Sequence, residues 1–356
     1  MMNADSRIYI AGHSGLVGSA ITRLLHAKGY ANTLCVPHAR LDLLNQADVT
    51  EFFEREKPEY VFLAAAKVGG IYANATYRGE FMYQNIMITT NVIEAARRSG
   101  VRKLVNLGSS CIYPRRAAQP MTEDMLLTGR LEHTNEPYAI AKIAGVKMCQ
   151  YYNEQYGTDY LSLMPTNLYG PNDNYNLETS HALPALIRKF TLAALLAKRD
   201  FASIQRDLAQ RDVGFGVLKS QRFTDNQTVA LLAERGITAD AVVLWGSGLV
   251  RREFLHADDV AAAALHFMNN VSAGYAGELV NIGTGMDLTL RDVAQRIADM
   301  VGFAGSLAYD RSKPDGVPSK CLSVSRAAKL GWKAAIPFEE GLRACVHEYM
   351  RSCTEG

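Results

Sequence analysis

RIYIAGHSGLVGSAITRLLHAKG, residues 7–29, joins a short apolar run to a turn with glycines at 12, 15 and 18, and then to a segment of helical periodicity that stops at Gly29. Strand, glycine turn and helix in this order form the first half of a dinucleotide-binding βαβ unit. Gly12 and Gly15 let the backbone approach a pyrophosphate, and Gly18 lets the helix pack closely on the sheet. The spacing is GxxGxxG, so the GxGxxG fingerprint is met only in part.

Outward from this unit, strand and helix patterns continue to alternate. TLCVP at 33–37 reads as a second strand, ADVTEFFEREK at 47–57 as a helix and YVFLAAA at 60–66 as a strand buried on both faces. A long helix at 83–100 precedes the strand VRKLVNLGSS, and TDYLSLMPTNLYGP at 158–171 reads as another strand with a proline-bounded loop. The expected class is α/β, a Rossmann-type parallel sheet with a smaller carboxyl-terminal substrate lobe. Ligands of such sheets gather at the carboxyl ends of the strands, which places Gly12, Ala64, Ser109 and Pro165 along one crevice. After the second strand, where the adenine ribose is read, stand His38 and Arg40, with Asp42 slightly later. Cationic donors suit the extra phosphate of NADP(H), whereas Asp42 offers a ribose ligand for NAD.

YAIAK at 138–142 puts Tyr138 and Lys142 on one face of a helix. The ammonium is expected to favour the tyrosinate, tuning a phenol of pKa ~10 to give a proton to a ketone under reduction. A tyrosine and a lysine at this spacing are common on surfaces; behind a glycine turn and a strand ending in Ser109 the pair points to hydride transfer.

The remaining features bound the class. At 356 residues, with 48% hydrophobic content, the chain can fill a substantial core. A net charge of +2 and no basic run give no reason to expect nucleic acid or a membrane surface as partner. The first strand begins too early to leave room for a secretory leader, and no apolar run approaches the ~20 residues that cross a bilayer. Cys35, Cys111, Cys149, Cys321, Cys345 and Cys353 are scattered without zinc spacing. No metal site is expected, and the thiols suit a reducing, cytoplasmic setting. The expected division is a principal coenzyme-binding region at 7–175 and a mainly substrate-binding lobe at 176–350, some elements of which return to the first. Within 190–240, helical patterns at 200–212 and 224–236 are separated by Gly214 and Gly216. This stretch reads as a surface appendage, with a lid or a subunit contact as alternatives.

AGHSGLVGSAI at 11–21, LAAAKVGGI at 63–71, LGSSCIYP at 107–114, NEPYAIAKIAG at 135–145, MPTNLYGP at 164–171, WGSG at 245–248, REFLHADD at 252–259 and SKPDG at 312–316 together resemble the extended short-chain dehydrogenase/reductases. They are most similar to the branch that converts GDP-4-keto-6-deoxy-D-mannose to GDP-L-fucose. The resemblance covers the chain nearly end to end. It implies a reductase triad of Ser109, Tyr138 and Lys142, and an epimerising acid/base pair of Cys111 and His181. It places Lys189, Trp245, Arg252 and Asp315, with Ser109, on the sugar nucleotide. His13, Ser14, Leu16, Val17, Ala65, Leu107, Asn167, Leu168 and His181 join Gly12, Gly15, Gly18, Ala64 and Pro165 around NADP(H). It also implies a homodimer through the segments at 83–99 and 138–156. Ser14 and His38 stand where the family has stronger cationic contacts, and 190–240 is longer than the family's usual connection.

The chemistry implied is compact, because a C4 ketone acidifies the hydrogens at both C3 and C5. Cys111 would remove a proton at each, His181 would deliver one to the opposite face, and Tyr138 with Ser109 would hydrogen-bond the C4 oxygen. Hydride transfer to C4 would then remove the acidifying ketone, with Lys142 holding the nicotinamide ribose. Other expectations compatible with the same residues are a related GDP-4-keto sugar, such as the GDP-L-colitose precursor, a 4-epimerase or dehydratase, and a silent NADP-binding protein. Cys111 disfavours the 4-epimerase, and the lack of an acidic pair beside Ser109 disfavours the dehydratase.

Overall fold

The computed structural model describes residues 1–313 and 315–355. The first lobe is built on strands β1 (Ile8–Ala11), β2 (Thr33–Leu34), β3 (Tyr60–Leu63), β4 (Lys103–Leu107) and β5 (Tyr160–Pro165). Their helices are α1 (Leu16–Ala27), α2 (Gln46–Glu56), α3 (Ile71–Thr76), α4 (Arg78–Arg98) and α5 (Glu136–Tyr156). After β6 (Asn167–Tyr169) come α6 (Ala182–Ala197), α7 (Phe201–Gln210), α8 (Asp225–Ala233), β7 (Ala241–Trp245), β8 (Arg251–His256), α9 (Ala257–Asn270) and α10 (Ala273–Ala276). The chain then runs through β9 (Leu279–Ile282), β10 (Asp287–Thr289), α11 (Leu290–Val301), β11 (Ser306–Asp310), β12 (Ser319–Lys320), α12 (Ser325–Lys329) and α13 (Phe338–Thr354).

Six parallel strands form the main sheet in the order β2-β1-β3-β4-β5-β9. The order reverses at β1, so the crevice for a ligand opens between the carboxyl ends of β1 and β3. Both faces are covered, which explains the uninterrupted apolar strands. Ile8 and Ile10 pack toward α1 and α9, while Tyr9 and Ala11 pack toward Phe52, Phe53 and Val92 of α2 and α4. Among the described residues no helix is long and apolar enough to cross a membrane.

Three element expectations need correction. The second strand ends at Leu34, before Pro37; it is the sheet edge and pairs only with β1. The long helix starts at Arg78, five positions before Tyr83. The run 158–171 is two strands, because the chain leaves the main sheet at Pro165 and β6 pairs with β8 of a second sheet.

The 190–240 stretch is not an appendage. Ile204, Leu208, Val213, Leu231, Leu232 and Ile237 lie in the same core as α6, α11 and α13. At its centre is a fully buried ion pair, Arg188 Nη2 to Asp207 Oδ2 at 2.8 Å. Arg188 also donates to the carbonyls of Tyr175, Arg211 and Asp212, and the Tyr349 hydroxyl donates to Asp207 Oδ1. The network therefore sews α6, α7 and α13 together. Removing one partner leaves a buried charge uncompensated, so Asp207→Ala should cost about 3–5 kcal/mol. A urea midpoint corresponding to a loss below about 1 kcal/mol would contradict this account.

Candidate active site

The glycine turn makes a cradle that no side chain could share. Gly12 has φ +83°, and a Cβ there would sit 2.7 Å from Ala65 Cα. A Cβ at Gly18 would land on the Gly12 carbonyl oxygen, so α1 packs against the turn only because residue 18 has none. Gly15 caps α1 without a side-chain hydrogen bond, and the first turn of the helix has no acidic residue. Its amides are thus available to a pyrophosphate. His13, Ser14, Leu16 and Val17 follow in this turn, and Ala64 and Ala65 lie at the end of β3 beside it, where the Ala64 amide donates to Ala11 O.

At the ribose end, His38 is exposed and 3.8 Å from Asp42, whose carboxylate already accepts the Leu44 amide. One carboxylate oxygen of Asp42 is thus engaged in its own turn, while His38 and Arg40 stand exposed beside it. On the far side, Pro165 closes β5 and Asn167 and Leu168 form β6. The Asn167 amide donates to Glu253 O at 2.8 Å, which fixes that wall.

Local geometry also sets the reacting groups. Pro137 starts α5, so Tyr138 occupies its first turn and Lys142 the next, on the same face. Tyr138 packs edge-on against Phe81, 6.3 Å between centroids. Ser109 Oγ accepts the Cys111 amide at 3.3 Å and caps the short turn Ser110–Ile112, fixing the thiol beside the phenol. Lys142 Nζ donates to Leu107 O at 2.8 Å and lies 5.7 Å from the Tyr138 ring centroid.

The electrostatics differ from the expectation. Burial, reinforced by Cys111, holds the Tyr138 phenol well above its ordinary range, and the hydrogen bond with Ser109 only partly opposes this. Lys142 is brought down to about 8 by the same burial. The ammonium therefore does not create a resting tyrosinate; Tyr138 stands as a neutral phenol. Burial likewise raises the Cys111 thiol, against the charge of Lys320, the hydrogen bond with Ser109 and the charge of Lys142. His181, at the amino end of α6, is lowered by its surroundings and by Lys320. The residue is exposed, and the shift comes from the partial desolvation by neighbouring protein and the charge of Lys320.

Lys320 escapes the sequence reading. In β12 it pairs in parallel register with Arg252 of β8, placing two cations side by side near Cys111 and His181. Arg252 Nη1 donates to Val317 O at 2.7 Å, and its other terminal nitrogen borders Gly316. Asp315 accepts the Ser247 amide at 2.6 Å, next to Trp245. Lys189 departs from its expected place. Its Nζ donates to Arg235 O and Val243 O at 2.9 and 3.0 Å, and burial lowers it to about 8. In this structure it braces β7 against the 190–240 segment through those two carbonyls.

Glu253 is also new. Fully buried, it receives the amides of Thr284, Gly285 and Leu322 at 2.5, 2.8 and 2.7 Å. It anchors the strand end that carries Lys320. Among the described residues no group of His, Cys, Asp and Glu could hold a metal ion.

This arrangement brings a glycine cradle together with a phenol, a thiol, an imidazole and two basic side chains. Residues 8–215 and 213–283 match the NAD dependent epimerase/dehydratase family, and the chain belongs to it. It is 45% identical over 353 residues to GDP-L-fucose synthase 1 of Arabidopsis thaliana, covering 99% of this chain and 95% of that one. It is also 45% identical over 355 residues to GDP-L-fucose synthase of Escherichia coli (strain K12), covering 98% of each. Among solved structures it is similar to a GDP-D-glycero-L-gluco-heptose synthase from Campylobacter jejuni in the presence of NADPH. That match has a TM-score of 0.90 and 37% identity over 98% of this chain and 99% of the other.

Proposed function

We propose that this chain is an NADP(H)-dependent epimerase and reductase of a GDP-linked 4-keto sugar. Its substrate is GDP-4-keto-6-deoxy-D-mannose and its product GDP-L-fucose, the activity of a GDP-L-fucose synthase. The observation that carries the reading is the meeting, in one cleft, of a neutral phenol donor with a thiol, an imidazole and two cations. The C4 oxygen sits against Tyr138 and Ser109. Cys111 takes the C3 proton and later the C5 proton, while the ketone delocalises each carbanion as an enolate. His181 returns a proton on the opposite face each time, and between the two events the thiol gives its proton to solvent and the imidazole takes one up, which resets the pair. NADPH, when bound, supplies hydride to C4. Tyr138 then protonates the oxygen, Lys142 orients the nicotinamide ribose from its anchor on Leu107 O, and Arg252 with Lys320 neutralises the diphosphate. The turn at His38 and Arg40 favours the coenzyme with the extra phosphate.

A second reading is a related GDP-4-keto sugar, either the GDP-L-colitose precursor or a heptose; the likeness to the Campylobacter jejuni heptose synthase favours keeping it. Incubation with each keto sugar and either NADPH or NADH, with product stereochemistry read by NMR, separates the readings. The deoxymannose substrate should be inverted at C3 and C5 and reduced, with higher kcat/KM for NADPH. Reduction without inversion, or turnover of another sugar alone, would replace the first reading. Equal efficiency with both coenzymes would return Asp42 to the role of ribose ligand.

The chain is also proposed to act as a cytoplasmic homodimer. All six cysteines are free, and the outer face of α4 and α5 exposes Met82, Tyr83, Ile140, Tyr151 and Tyr156. Large apolar side chains left exposed on two helices that pack together support a twofold contact there. Light scattering should give twice the chain mass at micromolar concentration; a monomer mass there would exclude this assembly under those conditions.

A further inference from the structure

Three rings from distant parts of the chain gather at the rim of the cleft, and each is more than a third exposed. They are Tyr72 of α3 (38%), Phe215 of the turn between α7 and α8 (39%) and Trp245 at the end of β7 (47%). The centroid of Tyr72 lies 5.3 Å from Phe215 and 6.4 Å from Trp245. The ammonium of Lys313 stands 5.5 Å from the centre of the Trp245 ring.

Phe215 is held there at a conformational cost. Its φ is +53°, in the left-handed region that side chains with a Cβ avoid, at roughly 1–2 kcal/mol. Gly214 makes the turn possible, since a Cβ there would sit 2.6 Å from Asn176 Oδ1 and 3.0 Å from Glu178 N. The Phe215 amide donates to Glu178 Oε2 at 2.5 Å, and the other oxygen accepts from Tyr77 at 3.2 Å. The turn is thus tied to the segment that leads into His181. Strain retained in this way at an exposed ring points to a use for the ring.

The order of groups along the cleft indicates the use. Tyr138 and Cys111 are followed by Lys320, then by its cross-strand neighbour Arg252. Arg252 borders Gly316, Asp315 holds the Ser247 amide, and Trp245, Tyr72 and Phe215 follow. Acid/base groups, cations and aromatic rings occur in the order of sugar, diphosphate and base in a nucleoside-diphosphate sugar. We propose that Phe215 and Tyr72 complete, with Trp245, an aromatic subsite for the purine base, so that residue 215 is a base-binding position supplied by the 190–240 segment. This rests on the reading that a GDP-sugar occupies the cleft.

Calorimetric titration of the full chain with GDP, and separately with NADPH, tests it. Phe215→Ala should weaken GDP binding roughly three- to tenfold, the range of an aromatic contact, while NADPH affinity is retained. Phe215→Tyr should restore GDP affinity. Should Phe215→Ala lose NADPH binding as well, Phe215→Leu carries the test, because it keeps the bulk and removes the ring; it should weaken GDP alone. Parent-like GDP affinity in the ring-less variant overturns the inference, and the GDP-sugar reading survives if Trp245→Ala still weakens GDP. A parent protein that binds no GDP removes both.

Discussion

Replacing Tyr138 with phenylalanine should lower the rate of NADPH-dependent ketone reduction by about 10²–10⁴-fold, the usual contribution of a positioned general acid. The ring would keep its edge-on contact with Phe81 and its place in the first turn of α5, so the fold and the coenzyme cradle should be unaffected. Only the donated proton is lost. Because the phenol is held neutral by burial, the parent enzyme carries that proton throughout the neutral pH range. Single-turnover oxidation of NADPH, with coenzyme affinity measured separately, reads the effect directly. A variant within about threefold of the parent would transfer the role to another donor, with Ser109 the first to examine.

Cys111→Ala is expected to reduce solvent deuterium exchange at C3 and C5 by about 10²–10⁴-fold while slow reduction of the unepimerised ketone continues. The thiol is small and its neighbours are set by Ser109 and the short turn after it, so truncation leaves Tyr138 and Lys142 in place. The direction of the pKa shifts adds a second readout in the parent enzyme. Burial raises the thiol, so a mechanism that needs the thiolate should show exchange rising between about pH 7 and 9. His181 is lowered, so an imidazole acting as base is already neutral at the start of that interval, and the profile would be flat. Flat exchange, together with normal inversion in Cys111→Ala, would exchange the roles assigned to the two residues.

What could be read from the chain was local. The glycines at 12, 15 and 18, the proline-started helix with Tyr138 and Lys142 one turn apart, and the Ser109–Cys111 corner each depend on neighbours within a few positions. Lys320 was hidden because its place comes from pairing with Arg252 in a distant strand. The carbonyls of Arg235 and Val243 that hold the Lys189 ammonium were equally hidden, because only the fold brings them to it. In the 190–240 stretch the helical periodicity was visible, but the surface it would cover was not. Its attachment depends on Asp207 meeting Arg188 and Tyr349, residues on two other helices. The lowered Lys142 and raised Tyr138 have the same origin, since burial by the whole fold outweighs a charge one helical turn away.

Glu253 makes the cleft mechanically asymmetric. Its single carboxylate collects amides from the loop after β9 and from the end of β12, and β8, which bears it, also carries Arg252. Hydrogen bonds to a buried charge are worth about 1.5–3 kcal/mol each, whereas the edge contact between Tyr72 and Phe215 is worth about 0.5–1.5 kcal/mol. One flank is a stitched seam and the other a loose clasp, so under denaturant the ring contact should part before the seam does.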